Sequence, residues 1–177
     1  DMPIKMILVP MLGGESDGPA LEAAGLLAKR SGAHLDAVFV HRDHLAVIGA
    51  QMGESISRDR IDSLIYTERK EFESSRYAAR SRFDAWCSAT GFEIKDRPDT
   101  AGTPSAAFSE IIGEPAEIIG KRGRTADVIS ITRVGDVKKA DYSAILEASL
   151  LHSGRLVLQV PPQDPTEIGK TVAIAWN

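Results

Sequence analysis

The run Met6-Ile7-Leu8-Val9-Pro10, followed closely by Gly13-Gly14, constrains this chain more than any other stretch. A short, continuous apolar run closed by glycines reads as a strand buried on both faces. Ser16-Asp17-Gly18-Pro19 has the composition of a helix start, with proline in the first turn. Ala20, Ala23, Ala24, Leu27 and Ala28 recur at helical spacing, and Gly32 stops the helix. Leu35 to Val40 is a second apolar strand. Strand, helix and strand in this order spell the right-handed crossover of a parallel sheet, which needs helices on both of its faces.

The alternation continues downstream. Residues 43–55 have no clear period and contain Gly49 and Gly53, which predicts a loop or a short irregular lid. From Ile56 to Thr90 the pattern is helical, with Ile61, Leu64, Ile65, Phe72, Ala79, Phe83 and Trp86 close to one stripe. Helices average about 11 residues, so this length suggests an internal break. Gly91 stops it, Phe92 to Lys95 reads as a third strand, and Arg97 to Ser105 as a loop. Ile111-Ile112 extends or re-enters the third strand, and Gly113-Glu114-Pro115 opens a helix running to about Arg124. Asp127 to Ile131 is a fourth strand, Ala140 to His152 a helix, and Arg155 to Val160 a fifth strand. The expected fold is α/β over residues 1–160: an open, mostly parallel five-stranded sheet with helices on both faces, a Rossmann-like three-layer sandwich.

Two features lie beyond that domain. Residues 161–169, opening with Pro161-Pro162-Gln163-Asp164-Pro165, have the composition of a linker. Lys170 to Asn177 then repeats the pattern of Lys5 to Leu12, a lysine leading an apolar strand, at an offset of 165 residues. Residues 170–177 are therefore expected to be the first strand of a second copy of the domain.

Composition excludes several classes of function. The chain has 177 residues, with 21 Lys and Arg against 25 Asp and Glu, a net charge of −4. Nucleic-acid binding wants a positive surface, so a nucleic-acid partner is not expected. No apolar run approaches the roughly 18 residues that span a bilayer, so no membrane partner is expected. The single cysteine, Cys87, rules out an intramolecular disulfide or a cysteine zinc cluster, and a reducing cytoplasm is the simplest compartment.

Motif searches return little chemistry. There is no dinucleotide fingerprint after a strand and no nucleophile elbow. Gly113 to Gly120-Lys121-Arg122 is spaced too widely for a phosphate loop and falls inside a helix. His41 and His44 lack the further ligands a metal site needs, so no metal is expected. Cys87, beside Trp86, reads as a buried, unreactive thiol. Lys121-Arg122-Gly123-Arg124 reads as a solvated cap at the negative end of a helix, and Lys138-Lys139 as a surface loop. Topology gives a better guide. In open parallel sheets, ligands bind outside the carboxyl ends of the strands where strand order reverses. That crevice collects Met11-Leu12-Gly13, Val40-His41 and Ser130 to Val134, faced by the helix start around Ser143-Ala144.

Several local patterns, in order, resemble the universal stress protein family in its tandem, two-domain form. Ile7-Leu8-Val9-Pro10 with Gly13 is similar to the family's opening strand and turn. Gly113-Glu114-Pro115-Ala116-Glu117-Ile118-Ile119 resembles its Gly-Asp-Pro-Ala-x-x-Ile helix start, and Ala126-Asp127-Val128-Ile129 its fourth strand. Leu151-His152 through Leu156-Val157-Leu158-Gln159-Val160-Pro161 resembles its closing strand, and Ala173-Ile174-Ala175-Trp176-Asn177 the start of a second domain. The resemblance implies the adenine-nucleotide α-hydrolase-like sandwich, dimer-like pairing of domains, and often ATP or AMP as ligand. The family's nucleotide signature, Gly-x2-Gly-x9-Gly-Ser/Thr, falls here on Ser130, Arg133 and Ser143-Ala144, with all three glycines absent. The family's acidic residue after strand one falls on Leu12. Glycines there let backbone amides approach phosphate closely. Arg133 offers a charge-assisted phosphate contact instead. Asn177 occupies the acid's place in the second copy.

The resemblance implies a non-catalytic stress-response module. Its nucleotide loop is eroded, with Leu12, Gly13, Val40, Ser130, Arg133, Ser143, Ala144 and Asn177 as the candidate ligand-facing residues. Its partner is the second domain of the same chain or a second subunit in a homodimer, and that second domain takes the ATP or AMP. Two alternatives stand beside it. A weak ATPase or nucleotide-activating enzyme needs a carboxylate near the phosphates, and Asp136 is the nearest in sequence. A module for an apolar or non-nucleotide ligand is suggested by Met11 and Leu12 at the crevice.

Overall fold

The computed structural model describes residues 4–41, 58–98, 102–133 and 140–170. Along the chain these form β1 (Met6–Met11), α1 (Asp17–Ser31), β2 (His34–His41), α2 (Arg58–Thr90), β3 (Glu93–Ile94), β4 (Ser105–Ile112), α3 (Pro115–Gly123), β5 (Val128–Thr132), α4 (Ala140–Leu151) and β6 (Leu156–Val160). The strands make one six-stranded sheet in the order β3-β4-β2-β1-β5-β6. Every pairing is parallel.

The sheet differs from the expected five strands in one region. Phe92 to Lys95 supplies only the two-residue edge stub β3, and the third long strand is β4, eight residues in register with the whole of β2. The loop expected up to Ser105 thus ends where β4 begins. Strand β4 lies near the edge and is only partly covered, so it tolerates Ser109 and Glu110 and lacks the continuous apolar run of β1.

Alternate residues feed two cores. Ile7, Val9, Met11, Leu35, Ala37 and Phe39 face α1 and α2, where Ala20, Leu21, Ala24, Phe83 and Trp86 pack against them. Leu8, Val38, Val40, Ile129 and Ile131 face α3 and α4 and meet Ile119, Tyr142 and Ile145. The result is a three-layer α/β sandwich of the Rossmann-like type. Among the described residues no helix is long and apolar enough to cross a membrane.

Helix α1 presents alanines and a glycine to its neighbours, which lets it approach closely. A side chain at Gly25 would put its Cβ 2.4 Å from Trp86 Cζ2, so the indole of α2 lies directly on the α1 backbone. That fit leaves the Trp86 indole N–H buried without a hydrogen-bond partner. Two hydroxyls of β5 bond the carbonyls of the same region: Ser130 Oγ donates to Ala20 O at 2.9 Å and Thr132 Oγ1 to Ser16 O at 2.5 Å.

Helix α2 runs unbroken for 33 residues, without the internal break its length suggested. It has no glycine or proline between Arg58 and Thr90, and ion pairs one turn apart, Arg76–Glu73 and Arg80–Asp84, support it. Its buried residues, Ala79, Phe83, Trp86 and Cys87, all belong to its second half. At the end of α3, Arg122 departs from the solvated cap expected for it. Its Nη1 donates to Ser109 Oγ at 2.7 Å and pairs with Asp36 Oδ2 at 3.2 Å, tying α3 to β4 and β2. Burial pushes the Asp36 carboxyl up, and the Arg122 guanidinium partly offsets that. Asp127 Oδ2 accepts from the amides of Lys5 and Met6, fixing the start of β1 beside the start of β5.

The segment after β6 runs back over α1. Gly18, at the first turn of α1, lies beside Asp164, and Arg30, in its last turn, donates through Nη1 to Ile168 O at 2.9 Å. Residues 161–170 thus form a strap that returns the chain toward the amino ends of the strands. Residues 171–177, expected as a further strand, lie outside the described residues, as does the expected loop or lid at 43–55.

Cys87 is buried, and burial first, then the nearby Asp84 charge against that of Arg80, pushes its thiol up to about 11. The folded chain holds this proton more tightly than the unfolded chain, which releases it near 9.0. Thiol stabilisation is therefore complete below pH 9 and declines as pH rises from about 9 to 11. A chromogenic disulfide at pH 8 should label Cys87 only after denaturant is added, and Cys87→Ala should flatten the alkaline loss of stability across that window. Fast labelling of the native chain contradicts this reading.

Candidate functional site

Strand order reverses between β1, which leads to β2, and β5, reached from β4 on the far side, so the topological crevice opens at the carboxyl ends of β1 and β5. The turn from β1 to α1 forms its first wall. Gly13 takes φ +73, and a Cβ there would stand 2.2 Å from the Ser75 carbonyl oxygen of α2, so the turn is pressed against that helix and only glycine fits.

The amides of this turn point at a side chain of the chain itself. Asp17, 2% exposed in the first turn of α1, accepts from Leu12 N through Oδ1 at 2.9 Å and from Gly13 N through Oδ2 at 2.8 Å. Two backbone donors beside a helix start are what a phosphate would use. Here a carboxylate takes that place, and the helix dipole favours its charge. Behind the turn, Pro10, Leu12, Ala20, Thr132, Tyr142 and Ile145 close around a space of about 10 Å³. That is room for about one water, whereas ligand pockets run to about 300 Å³ and above.

The structure brings some of the expected site residues to this crevice and takes others elsewhere. Leu12 is half-buried against the α3–α4 core, and Gly13 sits in the turn under α2. Val40, 6% exposed, packs into that same core. Ser130 is fully buried and its hydroxyl is spent on Ala20 O, so it staples β5 to α1. Arg133 is exposed, and its amide continues the pairing of β5 with β6 by donating to Val160 O at 2.6 Å. Ser143 is exposed near the start of α4, with Ala144 half-buried beside it. His41 stacks on Phe72, ring centroids 3.6 Å apart. Asn177, Asp136, His44, Lys138 and Lys139 lie outside the described residues. Among the described residues no group of three or more His, Cys, Asp and Glu comes together as a metal site.

Asp17 and Tyr142 escaped the sequence reading. Asp17 was visible within Ser16-Asp17-Gly18-Pro19, but as part of a helix start. Its distance of five and four residues from the amides it binds is the signal that could have exposed it.

No family model and no curated protein matches this sequence. Solved structures do match. The universal stress protein UspA from Lactobacillus plantarum superposes with a TM-score of 0.57 at 16% identity, over 90% of this chain and 99% of that one. The hypothetical protein MJ0577 gives 0.57 at 14% identity, over 93% and 100%. A universal stress protein in complex with cAMP gives 0.50 at 16% identity, over 92% and 100%. The chain therefore carries the fold of universal stress proteins, built on six strands.

The carboxylate–amide contact yields a sharp test. Leu12 and Gly13 donate to different oxygens of Asp17, so Asp17→Asn must turn an NH2 toward one of the two amides. It should destabilise the chain by about 1–3 kcal/mol, nearly as much as Asp17→Ala. Urea denaturation checks this, and an unchanged midpoint for Asp17→Asn contradicts it.

Proposed function

We propose that this chain is a non-catalytic stress-response module of the universal-stress-protein type. It acts by pairing with a second domain of the same chain or with a second subunit, and the second domain takes ATP or AMP. The observation that favours this reading is the crevice itself. The amides of its β1–α1 turn are bound to Asp17, and the space behind them measures about 10 Å³. One structural neighbour is a complex with cAMP, so the fold accommodates such a ligand.

The far edge of the sheet supports the pairing role. Among the described residues strand β6 pairs only with β5. Leu156 at the start of β6 is 72% exposed, and Leu151 and Leu150 at the end of α4 are 68% and 57% exposed. Such an edge invites another strand or apolar face to cover it. No acid–base pair in the described crevice argues for turnover, because its one buried carboxylate, Asp17, is occupied as an acceptor.

Two measurements test the proposal. Isothermal titration of this 177-residue chain with ATP and AMP should show no saturable binding tighter than about 1 mM, roughly −4 kcal/mol. Micromolar binding overturns the reading of the crevice. Sedimentation should show self-association weakened about tenfold or more by Leu156→Lys. Association indifferent to that change overturns the reading of the edge.

A further inference from the structure

We propose that the chain binds a small, flat, uncharged aromatic molecule in a second cleft, separate from the β1–β5 crevice. This cleft lies at the carboxyl ends of β2 and β4, under the middle of α2, and has a volume of about 300 Å³. That is some thirty times the space left in the topological crevice and falls at the lower end of the range for ligand sites.

Its lining dictates the ligand's chemistry. Phe72 of α2 stands between two rings of β2, with Phe39 at 6.0 Å and His41 at 3.6 Å between centroids, tilted by 29° and 25°. These near-parallel rings form one wall, and Ile112, the register partner of His41 on β4, continues it at the rim, 71% exposed. A planar ring entering here gains stacking and apolar contact together. The two charged residues of the lining, Arg76 and Glu110, bond each other, Nε to Oε2 at 2.9 Å. Arg76 is held further by Glu73, at 3.0 Å. The lining is therefore balanced in charge, and an ionic ligand would lose hydration there without an unspent counter-charge to replace it. The cation and anion are fixed at the rim, where they can bond a polar substituent on the ring.

The paired probes 1-anilinonaphthalene and its 8-sulfonate test this on the chain as it stands, because they share one ring system and differ by a single anionic group. The neutral probe should bind with one-site saturation and a blue-shifted emission. Its sulfonate should bind about tenfold more weakly or worse. Ile112→Trp, at an exposed position that leaves the core untouched, should fill the mouth and weaken the neutral probe at least about tenfold. Phe72→Ala, checked for native circular dichroism, should do the same by removing the central ring. Absence of saturable binding overturns the proposal, as does binding that both substitutions leave unchanged. Equal affinity for the two probes overturns the assignment of an uncharged ligand.

Discussion

Helix α1 is where the constraints of this molecule meet. Its inner face is built from Ala20, Ala23, Ala24, Gly25 and Ala28, so its axis sits closer to the sheet and to α2 than larger side chains would permit. Everything near it assumes that closeness. The Trp86 ring lies on the space a side chain at Gly25 would need, and the hydroxyls of Ser130 and Thr132 reach its first carbonyls. A larger residue at any of these places would move the helix, and with it the β1–α1 turn.

The position of α1 also decides what the crevice can do. A helix start drawn against β5 brings Asp17 under the turn, where its carboxylate supplies the negative charge that the two amides and the helix dipole attract. These two amides are satisfied without a ligand. A phosphate arriving there would have to displace a group covalently fixed beside the amides, whose effective concentration no free solute matches. In this way the fold of universal stress proteins is retained while the amides of its β1–α1 turn are satisfied from within the chain.

Much of this was legible in the sequence where one local rule dominates. The strand–helix–strand opening follows from an apolar run, a helix-start cluster and a stop at Gly32, and each resolves as expected. Helix α3 begins at Pro115 because Gly113-Glu114-Pro115 fixes its first turn. Strand β4 was obscured because Ser105, Ser109 and Glu110 break the apolar pattern. Those residues are explained only by partners far off in sequence: His34 for Ser105, Arg122 for Ser109, and Arg76 for Glu110. The same holds at the site. Ser130 sits where a phosphate loop would begin, but its burial depends on α1, 110 residues away in sequence.

The strap over α1 has a consequence for anything attached beyond it. A tether's effective concentration falls roughly as the three-halves power of its free length. While Arg30 holds Ile168, the chain is fixed at that point and the free length begins beyond it. Release of this contact lengthens the tether at a stroke, so a single guanidinium–carbonyl bond at the end of α1 sets the free length of anything attached beyond residue 168.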